Sequence, residues 1–306
     1  MKVFIEASGS LVSGCLIKSI KEAGMEVVAS DITNNNAGGL LADEYIKLPD
    51  MSDNNLWKIV KDYLIDEEID WVIPTFDEML LGWSKREKDF NAEGIKILIS
   101  PSLTIDTFID KWNTYNAFIQ SGLPAPKASL EKKYPMVKPR KGRGSQGITF
   151  TDEIDVNMED KISQEVVEGT ELTVDCFFDR DGTPIYIVPR IRLKVIDGKS
   201  VNAQTIQHKK VEQHIREMAK KYHFIGPINI QCFINNEDIW FIEVNPRVGG
   251  GMALGWAATE NWFDLWFNKI IQGKSFQPKP IQYGLQMYRY YAEIFNQINE
   301  IQSHTI

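Results

Sequence analysis

Residues 226–251 read GPINIQCFINNEDIWFIEVNPRVGGG, and apolar residues alternate with polar ones through most of this stretch. Alternation with a period of two is typical of strands that have one buried face. The stretch therefore predicts two antiparallel strands, 228–234 and 239–245, joined by a polar turn.

The predicted strand pair directs two amides and a carboxylate toward one side of a sheet, because successive side chains of a strand point to opposite faces. The two sets that are expected to share a face are Asn229, Gln231 and Phe233, and Phe241, Glu243 and Asn245. Gln231 lies opposite Glu243 only if the turn has an odd number of loop residues or if a bulge interrupts the pair. We predict that one of these irregularities is present.

The side-chain oxygens of Gln231, Glu243 and Asn245 suit a hard divalent cation. Mg2+ takes oxygen ligands and keeps waters and substrate phosphates beside one or two protein carboxylates, whereas zinc prefers His and Cys. We therefore predict that these three residues hold Mg2+, or Mn2+ in its place. Taken alone, a Glu-x-Asn pair is more often the solvated face of an amphipathic hairpin, so the metal interpretation depends on the rest of the chain.

The composition of the 306 residues argues against several classes of protein. The formal net charge of −8 disfavours nucleic-acid binding, and no apolar run approaches the ~18 residues of a membrane-spanning helix. The three cysteines are widely separated and odd in number, which favours reduced thiols over a disulfide framework. We expect a cytoplasmic protein that binds neither nucleic acid nor a membrane.

Residues 1–100 alternate strand-like and helix-like patterns, which favours βαβ units around a parallel sheet. The apolar segments are 2–7, 26–30, 71–74 and 95–99, and the periodic ones are 11–23 and 56–67. Polar residues follow the strands at Asp31, Thr75, Asp77 and Glu78. Such positions can hold a substrate, although Asp77 and Glu78 equally suit the first turn of a helix.

A boundary is predicted near residue 101, followed by a helix over 107–121. Residues 134–150 then predict a strand, a loop and a second strand. The loop, 139–147, combines three glycines with three basic residues, so its backbone N–H groups can face phosphate oxygens. By itself, a basic glycine-rich hairpin is more often solvated surface.

A further hairpin is predicted around the Asp-Gly turn at 181–182. Its second strand carries Arg190 and Arg192 on one face. Guanidinium groups match carboxylates and phosphates, so these two residues are candidates for gripping an acceptor carboxylate or the terminal phosphate of a nucleotide. The alternative, arginines in salt bridges on a surface strand, is about equally compatible with the sequence.

The order of these elements resembles the ATP-grasp superfamily. The nearest likeness is to the ATP-binding halves of the carbamoyl-phosphate synthase large chain and to the smaller carboxylate-amine ligases related to it. The residues that carry the resemblance are Asp110-Lys111, Lys138, the glycine loop, the segment QEVVEG at 164–169, Glu171, and the pattern Q-x(11)-E-x-N-P-R from Gln231 to Arg247. It covers residues from about 101 to 272.

The resemblance implies an α/β fold, with an α+β arrangement in the ATP-grasp module itself. A Rossmann-like N-terminal domain, 1–100, would precede a two-lobed ATP-grasp module. The small lobe with its linker helix would occupy 101–167, and the large lobe with a C-terminal tail would occupy 168–306.

The resemblance also implies an ATP site between the two lobes. Lys111 and Lys138 would contact the phosphates from two sides, the glycine loop would close over the β and γ groups, and the strand from Gln164 would run along the adenine. Glu171 would accept hydrogen bonds from the ribose. The residues implied to bind the nucleotide are Lys111, Lys138, Gly142, Gly144, Ser145, Gly147, Gln164, Glu165, Val167 and Glu171.

For the metal, the resemblance implies that Glu243 bridges two Mg2+ ions, which Asn245 and Gln231 support. The usual acidic ligand on the preceding strand is Gln231 here, so metal affinity would rest largely on Glu243. Arg247 would neutralise the charge that grows on the transferred phosphoryl group. The expected catalytic residues are Arg247, Lys138, Arg192 and Arg190.

By this resemblance the expected activity is that of an ATP- and Mg2+-dependent ligase, which activates a small-molecule carboxylate as an acyl phosphate for attack by an amine. Residues 248–251 replace a more polar stretch of the synthase, which suggests a backbone-lined site for a different acid. Two alternatives stay open: a nucleotide-binding subunit without its own turnover, and phosphorylation of a small acid without ligation. A homodimer is also compatible with the sequence.

Overall fold

The computed structural model describes residues 1–34, 36–142, 144, 146–196, 199–236 and 238–296. The first hundred residues contain a five-stranded parallel sheet in the order β3-β2-β1-β4-β5. Its strands are β1 Lys2–Ile5, β2 Glu26–Asp31, β3 Glu44–Lys47, β4 Trp71–Ile73 and β5 Lys96–Ile97. The parallel arrangement confirms the prediction of βαβ units. The sequence pattern did not reveal β3.

Helices cover both faces of this N-terminal sheet, because consecutive strand residues are apolar and point to opposite faces. Val3 packs with α1, whereas the neighbouring Phe4 packs with α3 and α4. The helices are α1 Ser13–Glu22, α2 Ala37–Leu41, α3 Leu56–Asp66 and α4 Leu80–Ala92, the last preceded by a 3-10 turn at Asp77–Met79.

The predicted helix over 107–121 is wrong, because the chain forms two helices there, α5 Ser102–Phe108 and α6 Lys111–Gln120. The break lies at Asp110, whose backbone is extended and whose Oδ1 accepts hydrogen bonds from the N–H groups of Trp112, at 2.9 Å, and Asn113, at 3.2 Å. Asp110 is therefore an N-cap, and it starts a new helix at Lys111.

A four-stranded sheet follows in the order β6-β9-β7-β8. Its strands are β6 Ala128–Ser129, β7 Met136–Pro139, β8 Thr149–Phe150 and β9 Lys161–Gln164. The antiparallel pair β7 and β8 confirms the strand-loop-strand prediction for 134–150. We call this unit the small sheet.

The large sheet has six antiparallel strands in the order β14-β13-β10-β11-β12-β15. They are β10 Thr170–Phe178, β11 Pro184–Ile196, β12 Lys199–Thr205, β13 Gly226–Asn235, β14 Asp238–Asn245 and β15 Gln286–Tyr288. The helices beside it are α7 Lys209–Ala219, α8 Ala253–Ala257 and α9 Trp262–Leu265, and a π-helical turn at Trp266–Ile270 continues α9.

The hairpin of β13 and β14 contains a bulge, which is one of the two irregularities that the sequence predicted. Gln231 pairs with Glu243, but the next residue, Cys232, pairs with Phe241, so Ile242 is the extra residue. Gln231 and Glu243 therefore share a face, as predicted. The expectation that Phe241 shares this face is wrong, because the bulge reverses the alternation and Phe241 is fully buried in the core on the other side.

Both faces of the large sheet are largely buried. One face packs against α7, and the other shares a hydrophobic core with the N-terminal sheet. Within that shared core the ring of Trp71 contacts Trp266 and Phe267 edge-on, with centroids 6.1 and 5.5 Å apart. The aromatic residues of α9 and its π-helical turn therefore connect the N-terminal sheet with one end of the large sheet. Among the residues described above, no helix is both long and apolar enough to span a membrane.

The overall architecture confirms the predicted fold class, an α/β protein with a Rossmann-like part followed by two antiparallel sheets. The boundaries at residues 100 and 167 stay predictions, since the shared core joins the first part to the last.

Candidate active site

A cavity of about 1040 Å3 lies where the N-terminal sheet, the small sheet and the large sheet meet. The predicted site residues that line it are Lys111, Lys138, Gly142, Gly144, Gln164, Glu165, Val167, Glu171, Arg190, Arg192, Gln231, Glu243, Asn245 and Arg247. Gly147 is not among the lining residues, and it lies against Pro139 at the end of the loop. Ser145 lies outside the described residues.

Three rows of side chains cross the cavity face of the large sheet, because residues in register on neighbouring strands point the same way. The central row is Glu243, Gln231, Thr173 and Arg190. The row nearer the N-terminal sheet, which we call the inner row, is Asn245, Asn229 and Asp175. The outer row is Phe233, Glu171 and Arg192. Strand register thus explains how residues 70 positions apart in sequence, such as Thr173 and Glu243, line up.

Glu243 is the carboxylate at which the candidate metal site is centred. It lies opposite Gln231, and one oxygen is 3.5 Å from Nζ of Lys111. Within the described part of the chain, no group of three or more His, Cys, Asp or Glu side chains is arranged to hold a metal. A cation here would therefore use Glu243, the amide oxygens of Gln231 and Asn245, and oxygens from a ligand, a set that suits Mg2+.

Lys138 enters the cavity from the small sheet and is only 4% exposed. Its Nζ donates to Oε1 of Gln164 at 2.7 Å. Burial lowers the pKa of Lys138 to about 8, the negative charge of Glu243 opposes this decrease, and the positive charge of Lys111 adds to it. The ammonium group of the small sheet therefore interacts electrostatically with the carboxylate of the large sheet across the cavity.

Lys111 lies at the first position of α6, where the helix begins against the glycine loop. Its Nζ donates to the carbonyl of Gly142 at 2.7 Å, and its backbone N–H donates to the carbonyl of Arg140 at 2.8 Å. Arg140 pairs with the N-cap carboxylate of Asp110, with Nε 2.9 Å and Nη2 2.8 Å from Oδ2. Arg140 therefore attaches the loop to α6, a role that the sequence did not indicate.

The segment that follows β9 runs along the cavity wall, as expected for residues 164–167. The backbone N–H of Glu165 donates to the carbonyl of Lys127 at 2.9 Å, and the Glu165 carboxylate accepts from the N–H of Lys127 at 3.0 Å. Both groups of Glu165 thus connect two strands of the small sheet. Because the N–H of Glu165 is already used, the predicted contact with an adenine edge would be made by other backbone groups of residues 164–167.

Arg190 and Arg192 share the cavity face, as predicted, and both are ion-paired. Arg190 is 2% exposed, and its Nε and Nη2 lie 2.7 and 3.3 Å from the two carboxylate oxygens of Asp175. Arg192 donates to Glu171 at 2.5 Å. Both arginines therefore form salt bridges, as the alternative interpretation expected. They lie in the wall of a cavity, however, and not on a solvated surface.

Arg247 is paired with a carboxylate of the N-terminal sheet. Its Nε and Nη2 lie 2.8 and 2.6 Å from the two oxygens of Asp77, and its Nη1 donates to the carbonyl of Val248 at 2.9 Å. Asp77 also begins the 3-10 turn, which agrees with the helical alternative for this residue, whereas a role in holding a substrate stays a prediction. The bidentate geometry fixes the orientation of the guanidinium.

Glu6 is a buried acid that the sequence reasoning did not assign to the site. It lines the cavity and accepts hydrogen bonds from the N–H groups of Thr75 and Phe76 and from Nε1 of Trp83, at 2.9 to 3.1 Å. Burial raises the pKa of Glu6 to about 7, although the hydrogen bonds oppose this increase. An acid inside the otherwise apolar segment 2–7 was the signal in the sequence.

Glycines 249 to 251 bring the backbone close to the inner row and to Arg190. A Cβ atom on Gly249 would lie 2.8 Å from Cγ of Asn229, and one on Gly251 would lie 2.6 Å from Nη2 of Arg190. Nothing lies within 4 Å of the corresponding position on Gly250. The segment is therefore a backbone wall, as the sequence suggested, and two of its glycines are required for space.

Comparison with known protein families agrees with this geometry. A family described as an ATP-grasp domain matches residues 108–251, which contain both lysines and the Glu243 hairpin. Residues 108–251 are therefore an ATP-grasp domain. A family described as a PylC-like N-terminal domain matches residues 7–98.

The curated relatives of the chain include two named enzymes. The carbamoyl phosphate synthase large chain of Agathobacter rectalis is 30% identical over 190 residues, which are 50% of this chain and 18% of that protein. Tyramine–L-glutamate ligase of Methanocaldococcus jannaschii is 26% identical over 204 residues, 64% of this chain and 61% of that protein. The chain therefore spans less than two thirds of either relative.

Solved structures confirm the ATP-grasp fold. The biotin carboxylase domain of Hydrogenobacter thermophilus 2-oxoglutarate carboxylase, in complex with MgADP, ADP and bicarbonate, superposes with a TM-score of 0.71 at 15% identity and covers 93% of this chain and 73% of its own. N5-carboxyaminoimidazole synthetase from Staphylococcus aureus, complexed with ADP, gives a TM-score of 0.71 at 14% identity over 92% of this chain and 80% of its own.

Proposed function

We propose that this chain is an ATP- and Mg2+-dependent ligase that activates a small-molecule carboxylate as an acyl phosphate for attack by an amine. The observation that carries the proposal is the meeting of Lys111, Lys138 and Glu243 in one cavity. Each comes from a different element, α6, β7 or β14, and no structural core requires two ammonium groups and a carboxylate at one point.

The two lysines would hold the triphosphate between the small sheet and α6. Lys138 is oriented by its hydrogen bond to Gln164, and Lys111 by its contact with Gly142. Mg2+ bound at Glu243 would neutralise phosphate charge, which is the main requirement of phosphoryl transfer. Mn2+ takes the same oxygen ligands and would serve in its place.

The proposed reaction has two steps. A carboxylate oxygen of the acid attacks the γ-phosphorus of ATP, the bond to the bridging oxygen breaks, and ADP leaves. The amine nitrogen then attacks the acyl carbon, phosphate leaves with the electrons of the C–O bond, and the nitrogen loses a proton. Arg247 lies beside Asn245, where its guanidinium would face the transferred group, and Asp77 holds it there.

Two relatives support the ligase class by their names. Tyramine–L-glutamate ligase matches 64% of this chain, and the crystal structure of the L-amino acid ligase from Bacillus licheniformis superposes with a TM-score of 0.67 at 17% identity over 89% of this chain. Both names describe the joining of a carboxylate to an amine, and we propose the same class of reaction here.

We also propose a cytoplasmic location. Cys15, Cys176 and Cys232 are all free thiols. Burial raises the pKa of Cys232 to about 12, so this thiol is inert at neutral pH. The homodimer stays a prediction that light scattering would test.

The proposal is tested by Mg-ATP calorimetry and by ADP release over a panel of carboxylates and amines. Glu243→Ala should lose metal-dependent nucleotide affinity by at least about tenfold, because Glu243 is the carboxylate among the three candidate metal ligands. Glu22→Ala, on the exposed surface of α1, is the matched control and should behave as wild type.

The outcomes separate the alternatives. ADP release that needs both an acid and an amine supports the ligase, and release that needs only an acid supports phosphorylation without ligation. Tight Mg-ATP binding without any substrate-stimulated release supports a nucleotide-binding subunit. If wild type has no affinity for Mg-ATP, all three are wrong.

A further inference from the structure

The inner end of the cavity contains the buried guanidinium of Arg190, whose Nη1 amino group has no hydrogen-bond partner among the described residues. Asp175 pairs with Nε and Nη2 of Arg190, but Nη1 is buried and has no hydrogen-bond partner within the described residues. A buried N–H group without a partner costs free energy, and this one belongs to a side chain that lines the cavity. The orphan group therefore indicates a ligand atom at this end.

Asp175 cannot serve as the partner of a second cation, because its oxygens are already used. Oδ1 accepts from Asn229 at 2.8 Å as well as from Arg190, and Oδ2 accepts from Nε of Arg190. Asp175 is fully buried and carries a single negative charge. It therefore neutralises Arg190 and no more.

A second guanidinium, that of Arg289, reaches the same wall from the C-terminal tail. It follows β15, and its Nη1 donates to the carbonyl of Leu11 at 2.9 Å while its Nη2 donates to the carbonyl of Gly250. Its Nε is buried and, in the described part of the chain, lacks a partner. Burial lowers the pKa of Arg289, the Cys15 thiol opposes this decrease, and the positive charge of Arg190 adds to it. The two cations thus lie close together, and among the described residues no carboxylate other than Asp175 forms an ion pair with either of them.

The wall between the two cations is the glycine segment 249–251. Arg190 contacts it at Gly251, where a Cβ atom would overlap Nη2, and Arg289 holds the carbonyl of Gly250. Gly250 itself lines the cavity and has open space beside it. The site therefore has a positive charge at its base, a backbone wall and room for a small group.

This positive end is separate from the candidate phosphate site. Arg190 stands in the central row three strands from Glu243, which places their Cα atoms about 14 Å apart at ordinary strand spacing. Its guanidinium leans toward Asp175 in the inner row, away from Glu171 in the outer row. A substrate group bound by Nη1 of Arg190 therefore lies far from Glu243 and from the carboxylate that reacts with ATP.

We propose that Arg190 and the 249–251 wall bind a second carboxylate of the acid substrate, one that is not phosphorylated, and that Arg289 is a positioning residue for this wall. The substrate class is then a dicarboxylic acid or an amino acid that carries two carboxylates. This inference rests on the ligase function proposed above, and it adds the recognition of a second negative charge.

The test uses pairs of acids that differ by one carboxylate: L-glutamate with 4-aminobutyrate, L-aspartate with β-alanine, and succinate with propionate. Two readouts are taken with the full chain, namely the shift in melting temperature in the presence of Mg-ADP and acid-stimulated ADP release from Mg-ATP. We expect at least one diacid to stabilise the protein at a concentration at least about tenfold below that of its partner acid, the value of one charge-assisted hydrogen bond.

Arg289 is the residue to change, because substitution of Arg190 would leave Asp175 buried and unpaired and could prevent folding. Arg289→Ala should raise the half-saturating concentration of the preferred diacid about tenfold and leave that of its monoacid partner and of Mg-ATP within about twofold. Arg289→Lys keeps the charge and should recover part of the loss. Arg180→Ala, on the exposed turn before β11, is the control and should change none of these values.

Three results would overturn the inference. The first is equal or absent stabilisation by both members of every pair, and the second is an Arg289→Ala variant that binds the diacid as wild type does. The third is a variant that loses Mg-ATP affinity instead, which would assign the cations to the γ-phosphate. Failure of the ligase proposal looks different: the diacid would stabilise the protein, but no acid would stimulate ADP release.

Discussion

Two glycine-bearing segments lie at opposite ends of the cavity, and they use glycine for different reasons. Gly142 and Gly144 have φ angles of +115° and +62°, and a Cβ atom on either would meet nothing within 4 Å. Gly249 and Gly251 lie outside this left-handed region, but a Cβ atom on each would overlap a named side chain. The first segment needs glycine for its backbone conformation, whereas the second needs it for space.

The two segments should respond differently to the same substitution. A methyl group in the first segment strains the backbone and leaves its neighbours in place. In the second segment it displaces a buried amide or guanidinium, which then loses its own hydrogen bonds. Substitutions at one end of the cavity therefore test this difference without a change at the other end.

The largest effect is expected for Gly251→Ala. The new methyl group would lie 2.6 Å from Nη2 of Arg190 and would push the guanidinium away from Asp175. We expect kcat/KM for the acid to fall roughly 10- to 100-fold, the cost of one or two charge-assisted hydrogen bonds, with little change in the Kd of Mg-ATP. Steady-state kinetics and nucleotide calorimetry provide the two values.

Gly14→Ala is the control for Gly251→Ala, because it adds the same methyl group in α1, outside the cavity lining, where the nearest atom would be Cδ1 of Leu41 at 3.4 Å. It should change kcat/KM by less than about threefold. Equal losses in the two variants would contradict a specific role for the contact between Gly251 and Arg190, and thermal unfolding would identify a general loss of stability.

The next effect concerns Asp77→Asn, which removes the charge that orients Arg247 from the N-terminal sheet. We expect kcat to fall about tenfold while the Kd of Mg-ATP stays within about threefold, because the lost bidentate pair positions the reacting group and not the nucleotide. Asp106→Asn makes the same chemical change on the exposed face of α5 and should have no effect. An Asp77→Asn variant with unchanged kcat would show that the orientation of Arg247 does not matter for the reaction.

The third prediction is a pH dependence at the nucleotide end. The pKa of Lys138 in the free protein is about 8, below its ordinary value of 10.5, so the ammonium loses its proton as the pH rises through 8. Mg-ATP affinity should fall about tenfold between pH 7 and pH 9 if the charged form binds phosphate. Calorimetry at intervals of half a pH unit measures this decrease, and affinity for the acid should not follow it.

Stability should change in the opposite direction over the same range. The unfolded chain keeps the Lys138 proton up to about pH 10.5, whereas the folded protein releases it near 8. Between these values the unfolded state binds more protons, so the contribution of Lys138 to the free energy of unfolding rises with pH. Lys138→Met removes the titration, and the difference between its curve and that of wild type isolates this one group.

The smallest effect is expected for Gly144→Ala, at the open end. The residue has a φ of +62° and no neighbour within 4 Å, so the cost is backbone strain of about 1 kcal/mol, or about fivefold in the Kd of Mg-ATP. Gly94→Ala, at φ +84° after α4, carries the same kind of strain far from the site. It should lower the melting temperature without any change in Kd.

The sequence predicted those parts of the fold that depend on local alternation. The β13–β14 hairpin, an irregularity in it and the meeting of Gln231 with Glu243 all follow from the period of two combined with the need to place a polar pair on one face. The position of the bulge did not follow, and the expected face of Phe241 was therefore wrong. One extra residue exchanges the two faces to which the following side chains point, and only the packing of the core shows where that residue lies.

Contacts between distant segments could not be predicted. Helix periodicity runs continuously through 107–121, and the break at Asp110 depends on an N-cap that Arg140 stabilises from the glycine loop. The pair of Arg247 with Asp77 joins residues 170 positions apart, and that of Arg289 with Leu11 joins residues 278 apart. No local sequence pattern predicts such partners, because the packing of the sheets brings them together.

The shared core of the N-terminal and large sheets has a consequence for how the molecule opens. Phe177 and Trp262 of the large-sheet region and Val3 and Trp71 of the N-terminal sheet belong to one continuous apolar cluster. Separating them would expose large aromatic surfaces to water at a cost of several kcal/mol. None of the described residues of the small sheet belongs to that cluster. Substrate entry and product exit should therefore proceed by rotation of residues 128–164 about their connections, while the other two sheets move together.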